Sequence, residues 1–189
     1  DLRCMTIRKL RHLPPLVKYY EMKYAGHVLR GKNVLDQIPS FKVADIPLAE
    51  AFRFIMNRLS ELVGWFSPRY LYEPMSTNSS EILTYACVKA FLEYCSALLL
   101  LSRRFKPTYS ERAEILKKTF KKDFPRLAKL LPDLAEMVSV CTEFKLRPNF
   151  SMFKSPLELW FKAKNYGITV LQHYLERMLH IENQKESGN

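Results

Sequence analysis

Glycine is scarce in this chain, five in 189 residues, and none belongs to a phosphate-binding Gly-rich loop. H-E-x-x-H and G-x-S-x-G are missing as well, as is any histidine-centred hydrolase pattern, which removes the common zinc-protease and serine-hydrolase chemistries. The four cysteines, Cys4, Cys87, Cys95 and Cys141, show no C-x-x-C spacing. They read as reduced core residues of a cytosolic protein. No apolar h-region follows the basic first residues DLRCMTIRKLRHL, so no signal peptide is expected, and the start on Asp1 reads as a processed or truncated chain. Low-complexity tracts and internal repeats are also lacking. Acid is the minority charge: nineteen Asp and Glu face thirty Lys and Arg, a net +11. That balance favours a polyanionic partner such as a nucleotide, RNA or an acidic protein, without choosing among them.

What is present is apolar material, 48% of the chain, enough for one fair-sized domain or a small piece joined to a larger one. Its centre is the stretch 79–116, SSEILTYACVKAFLEYCSALLLLSRRFKPTYSERAEIL. Between Glu81 and Arg103 only Lys89 and Glu93 are charged. Such a helix must be buried nearly all round, which makes it the hub of a helical domain. Residues 82–101 are long enough to cross a bilayer, but Lys89 and Glu93 near the middle would be costly there. A buried helix in a cytoplasmic protein with no membrane partner is the expectation.

Along the chain, the apolar run at 1–7 reads as a strand and residues 8–14 as a basic loop. A helix follows from Pro15 to about Ala25, ended by Gly26. HVLRG suggests a very short strand closed by Gly31, and NVLDQIP a single helical turn. Pro47 opens a second long helix, with Leu48, Ala51, Phe52, Ile55, Leu59, Leu62 and Val63 inward and Arg53, Asn57, Arg58 and Glu61 outward. Residues 67–80 read as the main linker, with Asn78 as N-cap of the hub. Thr108 and Glu111 form a T-x-x-E capping box for the next helix. Asp123 and Pro125 restart a short helical segment, and Pro132 opens another that ends before Pro148. Ser155, Pro156 and Glu158 combine N-cap, first-turn proline and capping acid, starting a last helix that should reach about Ile181. The sum is a mainly α protein, an antiparallel bundle of five or more helices with a short N-terminal α/β piece. The expected divisions are 1–40, 41–183 and a disordered tail at 184–189.

Lys89 and Glu93 are the most informative charges, one helical turn apart in an apolar run. They are either a cleft-facing pair or an intrahelical ion pair at the bundle's edge. Arg103, Arg104 and Lys106, followed by Arg112, suit phosphates, since guanidinium groups and helix N-termini favour anions. Lys117, Lys118, Lys121 and Lys122 continue the charge along one flank, for which a solvated face is the plainer reading. His173 and His180 share a helix face with Glu176 between them, too few ligands for a metal site. Most tyrosines and phenylalanines are core, with Tyr70, Tyr72 and Tyr109 available to stack on a base if exposed.

DLRCM, LPPLVKYYEMKYAGHVLRG and NVLDQIP together resemble the closing part of a DNA polymerase beta-like nucleotidyltransferase core. RFIMNRL and VKAFLEYCSALLLLSRRFKPTYSER look like the helical domain that follows that core in prokaryotic, especially archaeal, members. Similar helical domains occur in kanamycin nucleotidyltransferase and in the substrate-binding and HEPN proteins. By this resemblance Asp1 stands where the third metal-binding carboxylate would be, and Gly26, Leu29 and Gly31 match the closing strand. The G-S and D-x-D motifs that hold the triphosphate and two magnesium ions are absent. One aspartate cannot organise two-metal chemistry, so the chain alone should be inert. Arg177 and His180 stand too close together for the HEPN ribonuclease pattern.

The resemblance therefore implies the helical substrate-binding part of an enzyme that transfers a nucleoside monophosphate from a triphosphate to an unidentified acceptor. Asp1 would be the Mg2+ ligand, Lys89, Arg104 and Arg112 the nucleotide-binding groups, and Glu93 the catalytic residue that orients the acceptor hydroxyl. The alternative is a non-enzymatic basic helical module that binds RNA or a protein partner. A homodimer is open under either.

Overall fold

The computed structural model describes the backbone of residues 4–186 and the side chains of residues 4–180, so Asp1 lies outside the described residues. Eight α-helices account for most of the chain, and no strand occurs among the described residues. They are α1 (Ile7–Leu10), α2 (Val17–Ala25), α3 (Ala49–Trp65), α4 (Thr77–Leu101), α5 (Tyr109–Asp123), α6 (Pro125–Leu130), α7 (Leu134–Leu146) and α8 (Pro156–Glu186). The mainly α bundle read from the sequence is what forms.

The two expected strands do not form among those residues. Residues 4–6 are irregular, and Thr6 then caps α1, its Oγ1 accepting from the Lys9 N–H at 3.3 Å. Residues 27–30 are exposed and irregular, with Leu29 almost wholly in solvent. A strand needs a neighbour to pair its N–H and C=O groups, and none lies beside either segment. Gly31 keeps its turn role, at φ +94. The tail read from residue 184 instead continues α8 to Glu186. Glu, Gln and Lys are good helix formers, and no Gly or Pro intervenes before Gly188.

Residues 5–41 build a small core from Leu10, Leu13, Ile38 and Phe41. This unit docks through α2 onto the main bundle. The buried Glu50 carboxylate accepts from the Val17 N–H at 3.3 Å, supplying from α3 the N-terminal cap that Leu16 cannot give α2. Tyr20 meets Phe105 edge-on at 5.8 Å between ring centroids, which joins the two cores.

α4 is the hub. From Leu83 to Leu101 every residue is buried except Tyr85, Lys89 and Glu93, which form one stripe at four-residue spacing. Helix α4 starts two residues earlier than the sequence suggested. Ser76, not Asn78, is the cap, its Oγ accepting from the Ser79 N–H at 3.2 Å. The helix ends in a left-handed residue, Arg103 at φ 59. The Arg104 N–H then returns to the Leu99 carbonyl at 2.8 Å and the Arg103 N–H to Leu100 at 3.1 Å. Glycine normally takes that position because other residues pay about 1–2 kcal/mol there. Here the Arg103 guanidinium holds the turn by donating to the Ile46 carbonyl at 3.0 Å and the Ala44 carbonyl at 3.3 Å.

Contacts fix the helix directions. Lys89 meets Glu61 and Glu93 meets Arg58, so α3 and α4 are antiparallel. Lys145 meets Tyr85 while Cys141 lies beside Cys87, so α7 also opposes α4. Arg112 bonds Ser96 whereas Asp123 bonds Arg104, which makes α5 follow α4's direction after residues 102–108 double back. α8 opposes α3, the Trp160 indole donating to the Leu62 carbonyl at 2.8 Å and Tyr174 Oη to the Leu48 carbonyl at 2.8 Å. Both expected capping devices are present, Thr108 with Glu111 on α5 and Ser155 with the Glu158 N–H on α8.

The hub and α8 touch closely at Gly167. A Cβ there would fall 2.2 Å from Tyr94 Oη and 2.7 Å from Leu59 Cδ2, so only glycine admits this crossing. α4 is long and apolar enough to cross a membrane, yet most of it is enclosed by the surrounding helices.

Candidate functional site

The four described candidates from the sequence do not converge on one cleft. Lys89 pairs with Glu61 of α3 at 2.5 Å rather than with Glu93 one turn away. Glu93 instead faces Arg58, Oε2 to Nε at 3.5 Å, an ion pair without the geometry of a hydrogen bond. Arg58 also binds Glu61. The result is an interlocked quartet along the α3–α4 seam, two cations and two carboxylates, each half-buried. Burial pushes the Glu93 carboxyl above its ordinary value, and Arg58 and Lys89 only partly offset that.

Arg112 is more completely committed. Its side chain is only 6% exposed and forms an ion pair with Glu21 of α2, Nη2 to Oε1 at 2.8 Å. It donates to Ser96 Oγ at 2.9 Å, to the Thr108 carbonyl at 3.2 Å and to the Pro107 carbonyl at 3.4 Å. Phe105 and Tyr109 face its guanidinium, with centroids 4.8 and 4.5 Å away. All three guanidinium nitrogens are engaged, so Arg112 is a lock joining α2, α4 and α5. Glu21 is held above the usual carboxylate range by burial, against the pull of Arg112. Arg104, half-exposed, reaches Asp123 at 2.7 Å and pins the end of α5. Arg103 is spent on the turn described above.

Among the described residues no three metal-binding side chains cluster. His173 packs edge-on against Phe124 at 5.6 Å and its Nε2 lacks a hydrogen-bond partner, while burial lowers its pKa. Of the tyrosines considered for base stacking, Tyr72 is almost fully exposed, whereas Tyr109 is occupied by Arg112.

A run of exposed cations lies on α5 and α6. Lys117, Lys118, Lys121, Lys122, Arg126 and Lys129 are all exposed. The one acid among residues 117–129 is Asp123, already bound by Arg104. Lys117 and Lys118 make only long contacts with Glu136 and Glu114, at 3.6 and 3.8 Å between exposed groups. Arg126 binds Glu176 at 2.9 Å on the surface. Lys121, Lys122 and Lys129 have no partner among the described residues. The α5 C-terminus beneath them favours cations, which lets the lysines stand together there. Beside them a groove of about 450 Å³ opens between α5 and α7, with Lys117 and Arg147 among its walls and Ser110 and Ser139 adding hydroxyls.

No protein-family model, curated protein or solved structure matches this chain. The likeness to nucleotidyltransferases rests on the sequence motifs alone.

Proposed function

We propose that this chain is a non-enzymatic helical module that binds RNA through its phosphate backbone, on the flank formed by α5 and α6. The observation that carries the reading is the division of the cations. Arg58, Lys89, Arg103 and Arg112 are consumed by internal partners. Six that follow one another on α5 and α6 face solvent with a single, already occupied acid among them. Three of the six, Lys117, Lys118 and Arg126, meet carboxylates only at the exposed surface, and Lys121, Lys122 and Lys129 meet none among the described residues; a polyanion can engage such an array by displacing its counterions. The neighbouring groove, walled by Lys117 and Arg147 and also by Glu114 and Glu143, gives a strand somewhere to lay a base or ribose beside that array.

Phosphate contact of this kind predicts affinity that falls steeply with salt. With six cations engaged on a single strand, log K against log salt should slope by up to about −4, at ~0.7 per phosphate. Replacing Lys121, Lys122 and Lys129 by glutamine should reduce that slope by about 2 and leave the fold unchanged. Fluorescence anisotropy with a labelled single-stranded RNA over a salt series measures both. A slope that the triple variant does not change, or binding indifferent to salt, would refute the proposal. So would transfer of a nucleoside monophosphate by the chain alone with magnesium and a triphosphate.

A further inference from the structure

Eight large apolar side chains remain exposed on two helices that pack against each other. On α3 they are Phe52, Met56, Val63 and Trp65, and on α8 they are Phe161, Ile168, Leu175 and Leu179. Trp65 lines a separate groove with Glu61 and Tyr85, and the other seven form two rows. Phe52, Met56 and Val63 each follow a core residue by one position, after Ala51, Ile55 and Leu62. Phe161, Ile168 and Leu175 likewise follow the buried Trp160, Gly167 and Tyr174. One position is a rotation of about 100° on a helix of 3.6 residues per turn. Because α3 and α8 are antiparallel, equal rotations bring the two exposed rows together over one seam or drive both away from it. Phe52 decides which: its ring stacks on Tyr174 of α8 at 6.1 Å. The opposite side of α3 carries Arg58 and Glu61, which face α4. The rows therefore converge into one apolar face, with Val63 level with Phe161 and Phe52 level with Leu175.

We propose that this face is the contact between two copies of the chain, related by a two-fold axis passing beside Ile168. Phe161, Ile168 and Leu175 stand at a strict seven-residue spacing, the period of a helix seam that packs against another helix. A row so spaced is symmetric about its middle residue. Antiparallel pairing of α8 with α8 of the other copy sets Ile168 on Ile168 and each Phe161 on the opposing Leu175, the self-matching arrangement that a closed dimer requires. Area points the same way: the seven side chains leave on the order of 500 Å² of apolar surface open, at the top of what a monomer ordinarily shows. With a polar rim this approaches the ~800 Å² per partner of a stable interface. One charge interrupts the α8 row, Lys164, and its ammonium is turned onto the rings of Trp160 and Phe161, 5.4 Å from each centroid.

Sedimentation equilibrium of the full chain at micromolar concentrations tests this. The expected mass is twice the 22.3 kDa of one chain. Ile168→Glu should return it to one chain's mass with unchanged circular dichroism, while Leu130→Glu, at an exposed site on α6, should leave the dimer intact. As a second measure, Ile168→Cys in a Cys4→Ser background should form a covalent dimer on mild oxidation, since the other three cysteines are buried. A single-chain mass for the unaltered protein at every concentration would overturn the proposal and leave the face to a different partner. A dimer that survives Ile168→Glu, or an Ile168→Cys chain that does not cross-link, would overturn it equally.

Discussion

Arg112→Met is the most informative single substitution, because the sequence offers Arg112 as a ligand-binding group and the structure uses it as a lock. Methionine keeps much of the side chain's length and apolar contact with Phe105 and Tyr109, so the loss isolates the guanidinium. What disappears is an ion pair with Glu21 and hydrogen bonds to Ser96, Thr108 and Pro107. Breaking one side of a buried pair costs about 3–5 kcal/mol, because the remaining groups are left desolvated. The lower end applies here: Glu21 is 36% exposed and turns to water when freed, and Ser96 keeps its bond to the Leu92 carbonyl at 2.9 Å. A loss of about 3 kcal/mol corresponds to a fall in Tm of roughly 10 °C for a chain of this size. Urea unfolding followed by circular dichroism measures the free energy directly. Arg112→Lys should recover less than half, since one ammonium cannot span partners on three segments. A loss below about 1 kcal/mol for Arg112→Met would refute the lock, a buried pair costing several times that.

Two helical glycines should respond in opposite directions to the same change. Gly167→Ala forces a methyl into Tyr94 and Leu59 and should cost about 1–3 kcal/mol in urea unfolding, despite alanine's better helix propensity. Gly64→Ala meets nothing within 4 Å and should stabilise by roughly 0.5–1 kcal/mol in the same assay. Glu93→Gln should change the pH profile. Its carboxyl is held above the ordinary 4.5, so it contributes stability that is complete below that value and is lost as pH rises through the folded pKa. The difference between the original chain and Glu93→Gln should therefore shift against the original as pH rises above 4.5, and an unchanging difference would count against this. Thiol titration of the folded chain should find one fast cysteine, Cys4, and three that wait for unfolding, Cys95 among them with its thiol pushed up to about 12 by burial.

The hub was legible because its signal is an absence. A run of apolar residues with two charges must be enclosed, and it is. Thr108 with Glu111 and Ser155 with Glu158 were legible because a cap is a local hydrogen bond between residues three apart. Contacts between distant segments were not. Lys89 and Glu93 stand one turn apart, so a pair between them is the natural reading, but Arg58 and Glu61 arrive from an antiparallel helix whose register no local pattern states. Glu50 capping α2 from 33 positions away left no trace in sequence for the same reason. Arg103 ends α4 without the glycine that ordinarily marks a left-handed turn, because carbonyls of residues 43–46 hold it from outside. At the N-terminus a short apolar run without periodicity does not distinguish a strand from an irregular segment and a one-turn helix.

Both proposed surfaces rest on one principle: a group without an internal partner has its partner elsewhere. Isolation in the sequence drew attention to Lys89 and Glu93, yet isolation in an apolar run is what obliges a charge to find a partner inside the fold. The lysines of α5 pass for a solvated face for the opposite reason, being numerous, and Lys121 and Lys122 among them have no partner among the described residues. The same holds for apolar groups, since Ile168 sits on a helix whose core seam is already complete without it. The two surfaces occupy different helices, and that makes their independence testable. Ile168→Glu should preserve the salt slope of RNA binding per chain, and the α5–α6 glutamine variant should preserve the dimer's mass. If either substitution moved both readings, the lysine flank and the α3–α8 face would belong to one interface, and the separation argued from α5, α6, α3 and α8 would fail.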